Sequence, residues 1–119
     1  MLCVLKVLVV DDHETIRRYI TAWIAKTQIA EVIEVCANAH HGLLTCLELQ
    51  PDLVLCDVHM PYVDGHGFIQ QLKEAGLNTP VLLFSAHAIA EDPKSEVLAK
   101  TATVAELHNA ILRTTGQLV

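Results

Sequence analysis

Apolar and polar positions follow two rhythms along this chain. Apolar runs rich in β-branched residues cover 6–10, 32–37, 53–56 and 81–84, with a shorter one at 96–99. Stretches of this length and composition predict five strands. Between the first two, Ile16, Tyr19, Ile20, Trp23 and Ile24 recur at helical spacing, which predicts a helix with one buried face. Residues 39–49 place Leu43, Leu44 and Leu47 at the same spacing before Pro51-Asp52 stops the pattern. Residues 65–75 align Phe68, Ile69 and Leu72, with Asp64 suited to cap the start and Gly76 the end. Near the end, Thr103-Val104-Ala105-Glu106 spells a capping box ahead of Leu107, Ile111 and Leu112. Strand and helix alternate without repeat, low-complexity tract or linker. Parallel neighbours need a crossover that a helix supplies, so the expected fold is α/β: right-handed βαβ units in a doubly wound parallel sheet, forming a single domain over 1–119.

Composition narrows this further. With 119 residues, the chain suits one domain that buries a core without disulfide or metal staples. The apolar fraction is 52% and the aromatic fraction only 4%, so Val, Leu, Ile and Ala must fill the core, as in buried parallel strands. Eight basic against fourteen acidic residues leave a net charge of −6 and no basic cluster, which excludes a direct nucleic-acid footprint. No apolar run approaches the ~20 residues that span a bilayer. The opening Met1-Leu2-Cys3-Val4-Leu5 lacks the features of a secretory signal, so the expected location is cytoplasmic. Cys3, Cys36, Cys46 and Cys56 form no CxxC pair and read as reduced, buried small hydrophobes.

In an open parallel sheet, sites form beyond the carboxyl ends of the strands, beside the point where strand order reverses. The predicted strands end in Asp11-Asp12, Asp57, Ser85-Ala86 and Lys100. Alone, Asp11-Asp12 reads as an acidic helix start. Asp57 directly follows Val54-Leu55-Cys56, where a carboxylate loses hydration and needs a partner. A strand order of 2-1-3-4-5 brings all three carboxylates together. Two charges ~4 Å apart at an effective dielectric of about 20 repel by about 4 kcal/mol. A hard divalent cation, Mg²⁺, answers that repulsion with oxygen ligands and room for a phosphate.

Leu8-Val9-Val10-Asp11-Asp12, the run Asp57-Val58-His59-Met60-Pro61 with Asp64-Gly65, Ser85-Ala86 and Lys100 together resemble the receiver domain of bacterial two-component response regulators. The resemblance covers nearly the whole chain and implies a flavodoxin-like five-stranded sheet. It implies that Asp57 takes a phosphoryl group from a phosphohistidine on a sensor histidine kinase or histidine phosphotransfer protein. Mg²⁺ would then be held by Asp12, Asp57 and the backbone carbonyl of His59, with Asp11 closing the pocket. Lys100 would pair with a phosphoryl oxygen, and Ser85 would donate its hydroxyl. His59 and His87 would flank the phosphoryl group. Such a chain is a signalling phosphoacceptor rather than an enzyme, a monomer or weak homodimer, with no membrane partner.

The chain also departs from that family. Only 14 residues separate Ser85 from Lys100, too few for a full fourth helix, so that helix is expected to be shortened or missing, with at most one turn over 88–91. Val97 stands where many relatives carry an aromatic residue, and Thr101 where proline is usual. The shortened crossover also suits a degenerate receiver that binds partners without phosphorylation. A small Mg²⁺-dependent phosphohydrolase shares the aspartyl nucleophile, but nothing here supplies a cap domain.

Overall fold

The computed structural model describes residues 4–86, 91–92 and 97–116. Its elements are β1 (Leu5–Val10), α1 (Glu14–Lys26), β2 (Ala30–Cys36), α2 (Ala39–Leu49), β3 (Leu53–Asp57), α3 (Gly65–Glu74), β4 (Val81–Ser85), β5 (Glu91–Asp92), β6 (Val97–Ala99) and α4 (Val104–Thr115). Five strands pair in parallel in the order β2-β1-β3-β4-β6, which is the predicted 2-1-3-4-5. The two-residue β5 adds an antiparallel edge outside β6.

Every inner strand is buried on both faces, and its alternate residues feed two separate cores. Val7 and Val9 of β1, Leu53 and Leu55 of β3, Leu82 and Phe84 of β4, and Leu98 of β6 pack with Ile20, Trp23 and Ile24 of α1 and Leu107, Ala110 and Ile111 of α4. Leu8, Val10, Val54, Cys56 and Leu83 point the other way, against Cys46 of α2 and Phe68 and Leu72 of α3. Cys36, Cys46 and Cys56 are free and buried in this second core, as expected of small hydrophobes; Cys3 lies outside the described residues.

The helix ends are set by local chemistry. Asn38 caps α2 through the His41 N–H, and Asp64 caps α3 through the Gly67 N–H at 2.8 Å. At the end of α3, Leu77 N–H bonds Leu72 O and Gly76 N–H bonds Lys73 O, a Schellman closure with Gly76 at φ +77°. Between β4 and β6 the described residues contain no helix: Glu91 stands in β5, not in a helical turn over 88–91, and 88–90 lie outside the described residues. The sheet thus carries four described helices, two per face, and the fourth crossover ends in a strand edge.

Candidate functional site

The register of the sheet brings the predicted residues to one rim. Val10 pairs with Cys56, so Asp11 and Asp57 are the next residues out on adjacent strands. Asp57 pairs with Phe84, and Ser85 with Ala99, which puts Ser85 beyond Phe84 and Lys100 beyond Ala99. The Lys100 N–H donates to Ser85 O at 3.1 Å and prolongs the β4–β6 pairing by one residue. The short crossover therefore leaves Lys100 at the rim.

Asp11 and Asp57 are buried, and Lys100 reaches both from the far side. Its Nζ lies 3.3 Å from Asp11 Oδ2 and 3.5 Å from Asp57 Oδ2, and 5.0 Å from the centre of the Phe84 ring. The ring face attracts the ammonium and shields it from water, so one cation is held between two carboxylates and an aromatic floor. Asp57 Oδ1 accepts the His59 main-chain N–H at 3.2 Å. Burial, and then the Asp11 charge, push the Asp57 carboxyl above the usual range; the His59 N–H and Lys100 act in the opposite direction. Neighbouring Cys56 is no competing nucleophile, because burial and then the Asp57 charge push its thiol far up.

The loop after β1 is fixed from several sides. Asp11 N–H donates to Cys36 O, and Arg17 Nη1 donates to Asp11 O at 2.8 Å, tying the loop to β2 and α1. Asp11 Oδ1 accepts the His13 main-chain N–H at 2.8 Å. Beyond β3, Val58 N–H bonds Phe84 O and Gly65 N–H bonds Val58 O. Gly65 sits so close that a Cβ there would lie 2.8 Å from Asp57 O and 2.6 Å from Leu83 Cδ2, so only glycine lets α3 start against the Asp57 backbone.

One ligand atom each from Asp11, Asp12, His13 and Asp57 lies within 4.8 Å of the others. Within this group, Asp12 Oδ1 is buried and has no hydrogen-bond partner. An orphaned carboxylate oxygen facing two further carboxylates fits a hard divalent cation: the oxygens offered suit Mg²⁺, and the cation would satisfy the orphan. The predicted trio Asp11, Asp12 and Asp57 is thus assembled, with Lys100 beside it and Ser85 buried on the next strand. His59 is exposed, and its main-chain N–H links it to Asp57. His87 lies outside the described residues. Sequence reasoning missed His13, whose Nδ1 lies 3.1 Å from Asp11 Oδ1 and 2.9 Å from Asp12 Oδ1. The signal was the unbroken Asp11-Asp12-His13 run at a strand end.

Among the described residues, no helix is long and apolar enough to cross a membrane. Residues 7–112 match the family described as "Response regulator receiver domain". Protein-glutamate methylesterase/protein-glutamine glutaminase 2 of Koribacter versatilis is 39% identical over 83 residues, covering 70% of this chain and 23% of that protein. The corresponding enzyme of Symbiobacterium thermophilum is 35% identical over the same shares. The chain thus spans about a quarter of the length of these curated relatives. Among solved structures, the signal receiver domain of NarL from Mycobacterium tuberculosis superposes with a TM-score of 0.81 at 25% identity, covering 97% of this chain and 98% of that one. The response regulator domain of Thermotoga maritima CheB shares the fold, with a TM-score of 0.74 at 20% identity over 97% and 96% of the two chains.

Proposed function

This chain belongs to the response regulator receiver family, and from that membership we propose that Asp57 is the phosphoacceptor of a two-component or phosphorelay pathway. The observation that carries the reading is the meeting of Asp57 with Asp11, Asp12 and Lys100 at the ends of β1, β3 and β6. The donor is a phosphohistidine on a sensor histidine kinase or histidine phosphotransfer protein. An Asp57 carboxylate oxygen attacks phosphorus, the P–N bond breaks, the partner's imidazole leaves, and an acyl phosphate remains. A carboxylate needs no general base for this, so what the protein must supply is position and charge neutralisation.

Asp11, Asp12, Asp57 and the His59 carbonyl are the groups that would hold Mg²⁺. When bound, that ion offsets the charge of the carboxylates and of the incoming phosphoryl oxygens. Lys100, already between Asp11 and Asp57, exchanges a carboxylate contact for a phosphoryl oxygen. Ser85 donates its hydroxyl from the end of β4, and β4 and β6 shift with it as one paired unit, because Lys100 N–H is bonded to Ser85 O. His59, beside Asp57 on the open side, bears on how long the phosphoryl group survives. The segment between Ser85 and Lys100 is too short for a full fourth helix, so we place the surface read by a partner on α1 or α4. We place this unit in the cytoplasm, acting as a signalling phosphoacceptor rather than an enzyme with a substrate of its own.

The phosphorylation-independent reading rests on the shortened crossover between Ser85 and Lys100; Lys100, 3.3 Å from Asp11 and 3.5 Å from Asp57, supports the phosphoacceptor reading over it. Incubation with acetyl phosphate and Mg²⁺, followed by intact mass measurement, tests the proposal. One phosphoryl adduct is expected on the unsubstituted chain, none on Asp57→Ala, and slower formation on Lys100→Ala. An adduct that survives Asp57→Ala, or no adduct at all, refutes it.

A further inference from the structure

Tyr62 is fully exposed and stands at φ +69°, at the centre of a three-residue turn closed by the Val63 N–H on Pro61 O at 2.8 Å. The positive-φ form of this turn is rare and strained, and an aromatic residue is ill suited to it. Its own fold gives the ring no packing to offset that strain. A strained residue held out into solvent points to a role toward something outside the chain.

The ring and α3 border a surface groove of about 610 Å³. Met60 and Val63 give it apolar lining, and a Cβ at Gly67 would lie 2.9 Å from Val63 Cγ1, so glycine there lets the loop close onto the helix. Gln70 and Gln71 supply amides, and the charged groups are Asp64 and Glu74. Asp64 Oδ1 accepts the Gly67 N–H at 2.8 Å, and Gln70 Nε2 donates to Glu74 Oε1 at 3.2 Å, so both carboxylates are held at the groove. Among the described residues, no basic side chain lines it, and none of Asp11, Asp12, Asp57 or Lys100 does.

We propose that this groove docks an arginine side chain of a partner protein, forming a second contact surface apart from the phosphoacceptor pocket. Each part of that side chain has a counterpart here. A guanidinium stacks on a tyrosine ring and forks onto a carboxylate, while its aliphatic stem covers apolar surface such as Met60 and Val63. Lysine brings the charge without the stacking plane. The net charge of −6 draws a basic segment toward the chain, and the acidic lining fixes where it settles.

Titration of the intact, isotope-labelled chain with the blocked peptide Gly-Arg-Arg-Gly, followed by amide NMR shifts, tests this. Shifts centred on residues 60–74 are expected, with binding weaker by about fivefold in Tyr62→Ala, in Glu74→Gln and for the matching Gly-Lys-Lys-Gly peptide. Tyr62→Gly separates strain from anchoring: it should raise the urea midpoint, because glycine adopts φ +69° freely, and weaken binding as Tyr62→Ala does. A lower midpoint would show that Tyr62 serves the fold rather than a partner and overturns the proposal. Unchanged affinity in both Tyr62→Ala and Glu74→Gln overturns it as well. Shifts centred on Asp11 and Asp57 would assign the peptide to the phosphoacceptor pocket, and self-association lost in Tyr62→Ala without peptide binding would assign the groove to a second copy; either result refutes it.

Discussion

Asp57 combines two demands that oppose each other. In its proposed role as phosphoacceptor the carboxyl must be ionised, yet burial and the Asp11 charge both favour its protonated form. With its native pKa above the unfolded value, the folded chain binds more protons than the unfolded one. The contribution of Asp57 to stability is therefore present in acid and is lost as pH rises through the native pKa. Without metal, Asp57→Asn should raise the urea midpoint at neutral pH, with the gain shrinking toward acid. Paired urea titrations in a chelator measure this, and a lower midpoint at neutral pH would contradict it. Asp11, Asp57 and Lys100 were legible because each directly follows an apolar run, with Asp12 adjoining Asp11, and a buried strand end is where a charge most needs an explanation. His13 was not legible. Its ring meets its two preceding neighbours across a loop, a geometry with no periodicity to detect.

Elements long enough to show a period were legible in the same way. α4 follows from four letters: Thr103 Oγ1 accepts the Glu106 N–H at 3.1 Å, and Glu106 Oε1 accepts the Thr103 N–H at 2.9 Å. Removing half of that box by Thr103→Ala should cost about 1 kcal/mol of unfolding free energy, read from urea denaturation. An unchanged midpoint would mean that core packing of Leu107 and Ile111 alone holds the helix. β6 was harder to read, since three residues give barely one alternation; buried Leu98 and Ala99 beside β4 are what define it. β5 was invisible: Glu91 and Asp92 have low strand propensity, and only pairing with Leu98 and Val97 makes them a strand.

For the whole molecule, the doubly wound plan was readable because odd and even positions of the inner strands are apolar alike, which demands cover on both sides. Three carboxylates gathered at one rim, two of them paired with the single Lys100 ammonium, leave the folded state with a surplus of local negative charge. Mg²⁺ at a hundredfold excess over its dissociation constant should therefore stabilise the fold by about 2.7 kcal/mol, seen as a higher thermal midpoint. The rise should vanish in Asp12→Ala, and an equal rise there would assign the effect to diffuse screening. The outer strands have a further consequence. β2 bears Glu31 and Glu34 along one margin of the sheet, and β5 consists of Glu91 and Asp92 at the other. Stacking of copies through the β2 margin would set exposed Glu31 and Glu34 against like charges, so that edge of a small, apolar-rich chain resists strand-to-strand growth.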